Sequence, residues 1–279
     1  MPDRISFTDP EDQPLLDELG LNAETVFTDP RIHVWRSLPD RENATLDYVQ
    51  KDGHAGRLHL KRYPPAAGAM ARRELAGFFL LTGSKIPAAP VIAAGSRADG
   101  SSFIILRDLE GYRPADKLLQ RGFPFDRLLN ATADLAAQLH NARLHHRDLY
   151  LCHFMISSRN AAAATAGSPD HKSSDSGVAA TAAVDAKLID MARVARMSCI
   201  FTRRRWIVKD LAQFWYSTLS LPVTDEQRKQ WLDRYCAARR ISPPRWVRAI
   251  QCKAAAIGRH DVELQKKQPG RNVSIGSIA

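Results

Sequence analysis

The sequence predicts an α+β chain in two lobes: a small antiparallel β-sheet lobe with one main helix, then a larger helical lobe. Two patterns and the overall composition predict it. Between Arg31 and Tyr63, segments rich in β-branched and aromatic residues (IHVWRSL, ATLDYVQ, RLHLKRY) alternate with turn clusters such as KDGHAG, as in an antiparallel strand series. From residue 125 onward the apolar periodicity turns helical, in FDRLLNATADLAAQLH and VKDLAQFWYSTLSL. With 279 residues, 44% hydrophobic and 25% charged, the chain has the size and composition of a globular protein. Wholesale disorder, collagen and a disulfide mini-scaffold are excluded. No apolar run reaches the roughly 18 to 20 residues of a membrane-spanning helix. The acidic opening MPDRISFTDPEDQPLLDE is unlike a signal peptide, so a cytoplasmic location is expected.

Residues 1–30 read as an amphipathic N-terminal extension that packs onto the main fold or frays, with Leu15, Leu16, Leu19 and Leu21 among acids and Asp-Pro breaks at Asp9-Pro10 and Asp29-Pro30. Residues 31–110 form the strand-rich lobe. In RLHLKRY, Leu58 and Leu60 alternate with Arg57, His59 and Lys61, so one face is buried and Lys61 points to the other. AMARRELAGFFLLT (69–82) reads as a helix turning Met70, Leu75, Phe78 and Phe79 to a core and ended by Gly83-Ser84; FIILRDL follows as a strand. Residues 111–266 form the helical lobe, in which the apolar stripe of 125–140 precedes HHRDLYLCHFMI. The stretch 160–186 is rich in Ala, Ser and Gly, too poor in large apolar residues to offset its ordering entropy, and reads as a disordered insertion. Then come KLIDMARV, the basic RRRW, the helix VKDLAQFWYSTLSL, a Thr224/Gln227 capping box, and a helix after Pro243-Pro244. A flexible tail, 267–279, ends the chain. Cys152, Cys199, Cys236 and Cys252 form no C-x-x-C pair and read as mostly buried thiols.

The net charge of +10 is unevenly distributed: residues 193–279 carry 18 Lys+Arg against 6 Asp+Glu, a balance of +12, and the rest of the chain is −2. Such a skew points to an anionic partner. No aromatic-basic recognition motif supports nucleic acid as that partner.

Four residues fall in an order that suits phosphoryl transfer. Lys61 lies on a strand and Glu74 on the next helix, 13 residues on, a spacing that permits an ion pair holding the lysine against ATP phosphates. His146-Arg147-Asp148 follows a long buried helix, which places Asp148 on a loop where a carboxylate can accept a substrate hydroxyl proton. Asp190 in LIDM ends an apolar strand and can hold Mg²⁺ through a hard oxygen. The ordered set is far more specific than HRD alone.

HRDLYLCHFMI, LIDMARV and RRRWIVKDLAQFWYST resemble the Kdo/WaaP lipopolysaccharide kinase family, relatives of protein kinases. The likeness is strongest over 143–220 and extends back to about residue 57. It implies a bilobal protein-kinase-like fold that transfers phosphate from ATP to heptose or Kdo in a lipopolysaccharide core precursor, with peripheral contact at the inner face of the cytoplasmic membrane. It implies Lys61 as the phosphate-binding lysine, Glu74 as its partner, Asp148 as catalytic base, Asp190 as metal aspartate, and Asp210 as the helix-start residue bracing the catalytic loop. Leu106, Arg107, Asp108 and Leu109 would form the hinge offering backbone groups to adenine. Where protein kinases place a second metal-binding Asn, this chain has His153, which suits Mn²⁺ or a phosphate contact better than Mg²⁺. Met191 and Ala192 replace the Phe and Gly of the usual metal-loop motif, and no G-x-G-x-x-G precedes Lys61. Asp190 and Asp210 are 20 residues apart, too close for a long peptide-docking segment. Arg193, Arg196, Arg203, Arg204 and Arg205 are candidate contacts to an acidic acceptor. The rival readings are a kinase of a protein or another small molecule, and a nucleotide-binding pseudokinase scaffold.

Overall fold

The three segments expected as strands pair as neighbours in one antiparallel sheet of six. Its order is β1-β5-β6-β4-β3-β2, from β1 (Arg4–Phe7), β2 (His33–Leu38), β3 (Arg41–Val49), β4 (Ala55–Tyr63), β5 (Val91–Ser96) and β6 (Ser102–Arg107). The computed structural model describes residues 3–157, 184–242 and 244–267. It divides into two compact units, Met1–Glu110 with Asp190–Ala195, and Gly111–Ile189 with Arg196–Ala279.

In the first unit the pleat of β4 separates two chemistries. Leu58 and Leu60, with Ala44, Leu46, Phe103 and Ile105, pack beneath Leu16, Leu21 and Val26 of the segment carrying helices α1 (Gln13–Leu19) and α2 (Thr25–Thr28). Of packing and fraying, the two behaviours open to the first thirty residues, the described ones pack, as a layer of this unit. Ile5 and Phe7 alternate toward the same core, and β1 pairs with β5 from Arg4↔Ser96 to Phe7↔Ala93. The other pleat carries Lys61, opposite Asn43 on β3 and Ile104 on β6.

Helix α3 (Met70–Gly83) packs on β4, β5 and β6 and buries Ala71, Glu74, Gly77 and Leu81. This corrects the expected stripe: Phe79 is exposed, and Met70, Leu75 and Phe78 are only partly covered. Small residues face inward because the helix lies against the turn Met191–Arg193, where a Cβ on Gly77 would collide with the Met191 carbonyl.

The second unit opens with strand β7 (Tyr112–Pro114), helix α4 (Ala115–Gln120) and helix α5 (Phe125–Asn141), then the two-residue strand β8 (Leu144–His145). Strands β9 (Phe154–Ser157) and β10 (Ala186–Leu188) join β7 in an antiparallel three-stranded sheet, β10-β9-β7. Helices α6 (Ile200–Ser217), α7 (Asp225–Ala238) and α8 (Pro244–Lys267) follow. Phe214 and Trp231 stack with ring centroids 3.9 Å apart, and Trp231 donates its indole N–H to Thr132 of α5 at 2.9 Å. Thr224 and Gln227 form the full capping box of α7.

Helix α6 starts before the arginine run, so Arg203, Arg204 and Arg205 are helical, and it ends at Ser217 with Leu219 exposed. No Gly or Pro lies between Ile200 and Ser217 to stop it earlier. Two of the cysteines expected inside are outside: Cys199 and Cys252 are exposed, Cys152 is half-buried and only Cys236 is buried. Cys199 immediately precedes α6 and Cys252 lies on α8. Of the insertion expected at 160–186, residues 160–183 lie outside the described residues, and Ala186 opens β10 opposite Ile156. Residues 268–279 of the expected tail also lie outside them.

Candidate active site

In the first unit Lys61, Glu74 and Asp190 meet. The Lys61 ammonium donates to Glu74 Oε1 at 2.6 Å and to Asp190 Oδ1 at 3.1 Å. Burial works against its charge, but the carboxylates of Asp190 and Glu74 outweigh it and hold Lys61 above the ordinary lysine range. Glu74 has no solvent exposure, and Tyr63 donates its hydroxyl to Glu74 Oε2 at 2.9 Å. Burial, then Glu74, raises the Tyr63 phenol well above its usual range, so the hydroxyl stays a donor. Asp190 adopts a left-handed backbone, φ +60°, a conformation that Asp tolerates better than most residues.

Tyr63 is a site residue the sequence reading missed. The signal was available: it lies two positions after Lys61, hence on the same side of β4. Tyr63→Phe leaves a buried carboxylate oxygen without its donor. We expect a loss of about 1.5–3 kcal/mol of stability, read as a lower melting temperature; an unchanged Tm would contradict this role. Asn43 was missed too. It is buried opposite Lys61, and among the described residues its Oδ1 meets no donor.

In the second unit the segment around Asp148 is held by helix α6. Asp210, fully buried, accepts from the backbone N–H of His146 at 2.7 Å and of Arg147 at 2.8 Å. Lys209 donates to the Arg147 carbonyl at 2.7 Å, so the Arg147 backbone is held at both its N–H and its carbonyl. That clamp stabilises a left-handed Arg147, φ +70°, a conformation costing about 1–3 kcal/mol for an ordinary side chain. Asp210 is not at the helix start, as expected, but well inside α6, because the helix begins at Ile200. Gln213, one turn further, accepts from the Leu149 N–H at 3.2 Å and donates to Asp148 Oδ1 at 3.4 Å.

Behind Asp210 runs a chain of hydrogen bonds. Arg239 donates to the Tyr235 oxygen at 2.6 Å, Tyr235 and His140 Nδ1 are 2.7 Å apart, and His140 Nε2 is 3.3 Å from Asp210. Burial depresses the His140 pKa and keeps the ring neutral. Its Nε2–H therefore donates to Asp210, and Nδ1 accepts from Tyr235. Burial alone would raise Asp210, yet the bond from His140 and the His146 N–H bring it below the usual carboxylate range.

His146 donates from Nε2 to the carbonyl of Ile189 at 3.1 Å. His153 Nδ1 lies 2.6 Å from the Asp148 carbonyl, which fixes Nδ1 as the protonated nitrogen and puts the lone pair of the neutral ring on Nε2. A lone pair there suits a metal ion, whereas a phosphate contact from Nε2 requires the ring to be protonated. Among the described residues no group of three His, Cys, Asp or Glu side chains could hold a metal ion by itself. Asp190 offers a hard carboxylate oxygen, the donor type Mg²⁺ takes from one or two residues before phosphates and water complete its octahedron.

At the expected hinge, Leu106 and Arg107 end β6. The N–H groups of Arg107 and Asp108 donate to Pro90 and Arg57 carbonyls, at 3.0 and 3.2 Å. The Asp108 side chain lies 2.7 Å from His59 Nε2, and that of Arg107 pairs with Asp12. Leu109 follows, half-buried. Strands β2 and β3 are joined by Pro39-Asp40, with no glycine in the turn. Of the candidate acceptor arginines, Arg193 and Arg196 are exposed, as are Arg204 and Arg205 on the first turns of α6. Arg203 is half-buried, and its buried Nε meets no acceptor among the described residues.

A profile of the lipopolysaccharide kinase (Kdo/WaaP) family matches residues 31–235. The lipopolysaccharide core heptose(I) kinase WaaP of Pseudomonas aeruginosa is 28% identical over 123 residues. Those are 44% of this chain and 37% of that protein, so the match spans little more than a third of the relative's length. Among solved structures, WaaP in complex with acyl carrier protein aligns with a TM-score of 0.63 at 22% identity, covering 94% of this chain and 99% of that one. The fold is thus the protein-kinase-like α+β fold of WaaP.

Proposed function

The chain belongs to the lipopolysaccharide kinase (Kdo/WaaP) family, and from that premise we propose that it transfers the γ-phosphoryl group of ATP to a heptose or Kdo hydroxyl of a lipopolysaccharide core precursor. The observation that carries the reading is the Lys61 ammonium held between Glu74 at 2.6 Å and Asp190 at 3.1 Å. It is a permanent cation, oriented from behind and ready to donate to phosphate oxygens.

The sugar oxygen attacks the γ-phosphorus, the bond to the β,γ-bridging oxygen breaks, and the hydroxyl proton passes to the Asp148 carboxylate. Gln213 orients that carboxylate, and Asp210 and Lys209 fix the backbone from which it projects. Asp190 would hold Mg²⁺, which when bound supplies neutralisation of charge on the phosphates. Arg193, Arg196, Arg203, Arg204 and Arg205 offer guanidinium groups to the carboxylates and phosphates of an anionic glycolipid. The acceptor is tested by incubating the protein and ATP with purified lipopolysaccharide core, with a protein and with simple sugars. Phosphate found by mass spectrometry on the core heptose or Kdo supports the reading; phosphate found only on the protein or the simple sugars would replace it.

Because the His153 lone pair lies on Nε2, we expect a higher ratio of Mn²⁺- to Mg²⁺-supported rate in wild type than in His153→Asn. Identical metal profiles would remove His153 from the metal site.

A further inference from the structure

The start of α6 presents an apolar tip backed by cations. Ile200 and Phe201 are 68% and 90% exposed, and Arg204 and Arg205, also exposed, follow one turn later. At 3.6 residues per turn, positions 200, 201, 204 and 205 fall within about 140° of one another, so they share a face. In the same two turns Arg203, Trp206 and Ile207, at about 240–340°, are the covered positions, Arg203 and Trp206 half-buried and Ile207 buried, so the exposed face is the outer one. Trp206 and Trp246 lie behind it, half-buried, with the Arg205 and Arg204 guanidinium groups 5.5 and 5.7 Å from their ring centroids.

We propose that this face docks on an anionic phospholipid bilayer, with Ile200 and Phe201 inserted and Arg204 and Arg205 at the level of the lipid phosphates. Two observations choose a bilayer over another occupant. With this tip entering the bilayer by its N-terminus, the arginines, four residues on and a rise of about 6 Å behind the apolar pair, stand at the depth of the headgroups when that pair reaches the acyl boundary. The charge is complementary as well: the chain from 193 onward carries +12. Side chains lean toward a helix N-terminus, so Phe201 extends the tip instead of folding back over the arginines. Among the described residues no helix is long and apolar enough to cross a membrane.

The inference deepens the glycolipid reading and rests on it for its purpose, which is to bring the enzyme to the surface where such an acceptor is anchored. Its test needs neither ATP nor lipopolysaccharide. The full chain is sedimented with phosphatidylcholine vesicles and with vesicles in which about a third of the lipid is phosphatidylglycerol. We expect binding to the anionic vesicles, at least about tenfold weaker binding to the neutral ones, and weakening with added salt. Ile200→Ser with Phe201→Ser should lose about tenfold or more on anionic vesicles. Arg204→Gln with Arg205→Gln should lose a similar factor there and nothing on neutral vesicles.

Unchanged circular dichroism and unchanged affinity for ATP show that the variants are folded. Wild type that fails to sediment with anionic vesicles overturns the proposal, as does a double serine variant that sediments equally well. A wild-type dimer that Phe201→Ser converts to a monomer also overturns it, by assigning the face to a second copy of the chain. Vesicle binding without phosphate transfer leaves this surface standing and removes the kinase reading; transfer to soluble core without vesicle binding does the reverse.

Discussion

Asp148→Asn is expected to slow phosphate transfer by about 10²–10⁴-fold while leaving ATP affinity unchanged, because it removes the proposed proton acceptor and none of the proposed phosphate-binding groups. The side chain keeps nearly its size, and asparagine can present its amide oxygen to Gln213, which keeps its bond to the Leu149 N–H, so the loop should hold its shape. Equilibrium ATP binding and single-turnover transfer, measured on the same preparation, separate the two effects. A variant that transfers phosphate within tenfold of wild type would take the base assignment away from Asp148.

Asp210→Ala should be the most destabilising of the substitutions considered, by about 3–5 kcal/mol. It strips the His146 and Arg147 N–H groups and His140 of one shared acceptor, all at a fully buried position. Each buried donor left unmade costs about 1–3 kcal/mol. The left-handed Arg147 would be held only by Lys209. Chemical denaturation reads the loss directly; a change under 1 kcal/mol would mean that other groups hold the loop.

The same cluster predicts sensitivity to acid. Asp210 has a depressed folded pKa, so its contribution is complete above the ordinary carboxylate value of 3.8 and is lost as pH falls through the lower folded value. His140 is also depressed, so stability starts to fall as the pH drops below 6.5, where the unfolded chain binds a proton that the folded one refuses.

How far the sequence could be read depended on the range over which each interaction acts. The pleat of β4 was legible because alternation is local: Leu58 and Leu60 had to face a core and Lys61 had to face away. The same rule puts Tyr63, two positions on, on the face of Lys61. Glu74 was legible as a helix residue 13 positions on, and its pairing with Lys61 follows once the helix packs on the sheet. That Asp190 also reaches Lys61, across 129 positions, was suggested only by the order of motifs and the family likeness, since no local pattern encodes it.

Two boundaries failed for opposite reasons. The Asp-Pro breaks in the first thirty residues concealed a short strand and two short helices that become stable only against Leu58 and Leu60. The polar Arg203–Arg205 run carries no helical signal of its own because its buried partners, Ile207 and Leu211, lie up to two turns further on. The Arg239–Tyr235–His140–Asp210 chain joins three helices, so no window on the sequence contains it.

In the proposed reaction Lys61, Asp148 and Asp190 are all needed to phosphorylate a core sugar. It is tested most directly by following label from [γ-³²P]ATP into purified lipopolysaccharide core, with wild type, Lys61→Met, Asp148→Ala and Asp190→Ala side by side. Wild type should label the core, and none of the three variants should label it above background. Label that persists in Asp148→Ala, or wild type that binds ATP and labels no core acceptor, would contradict it.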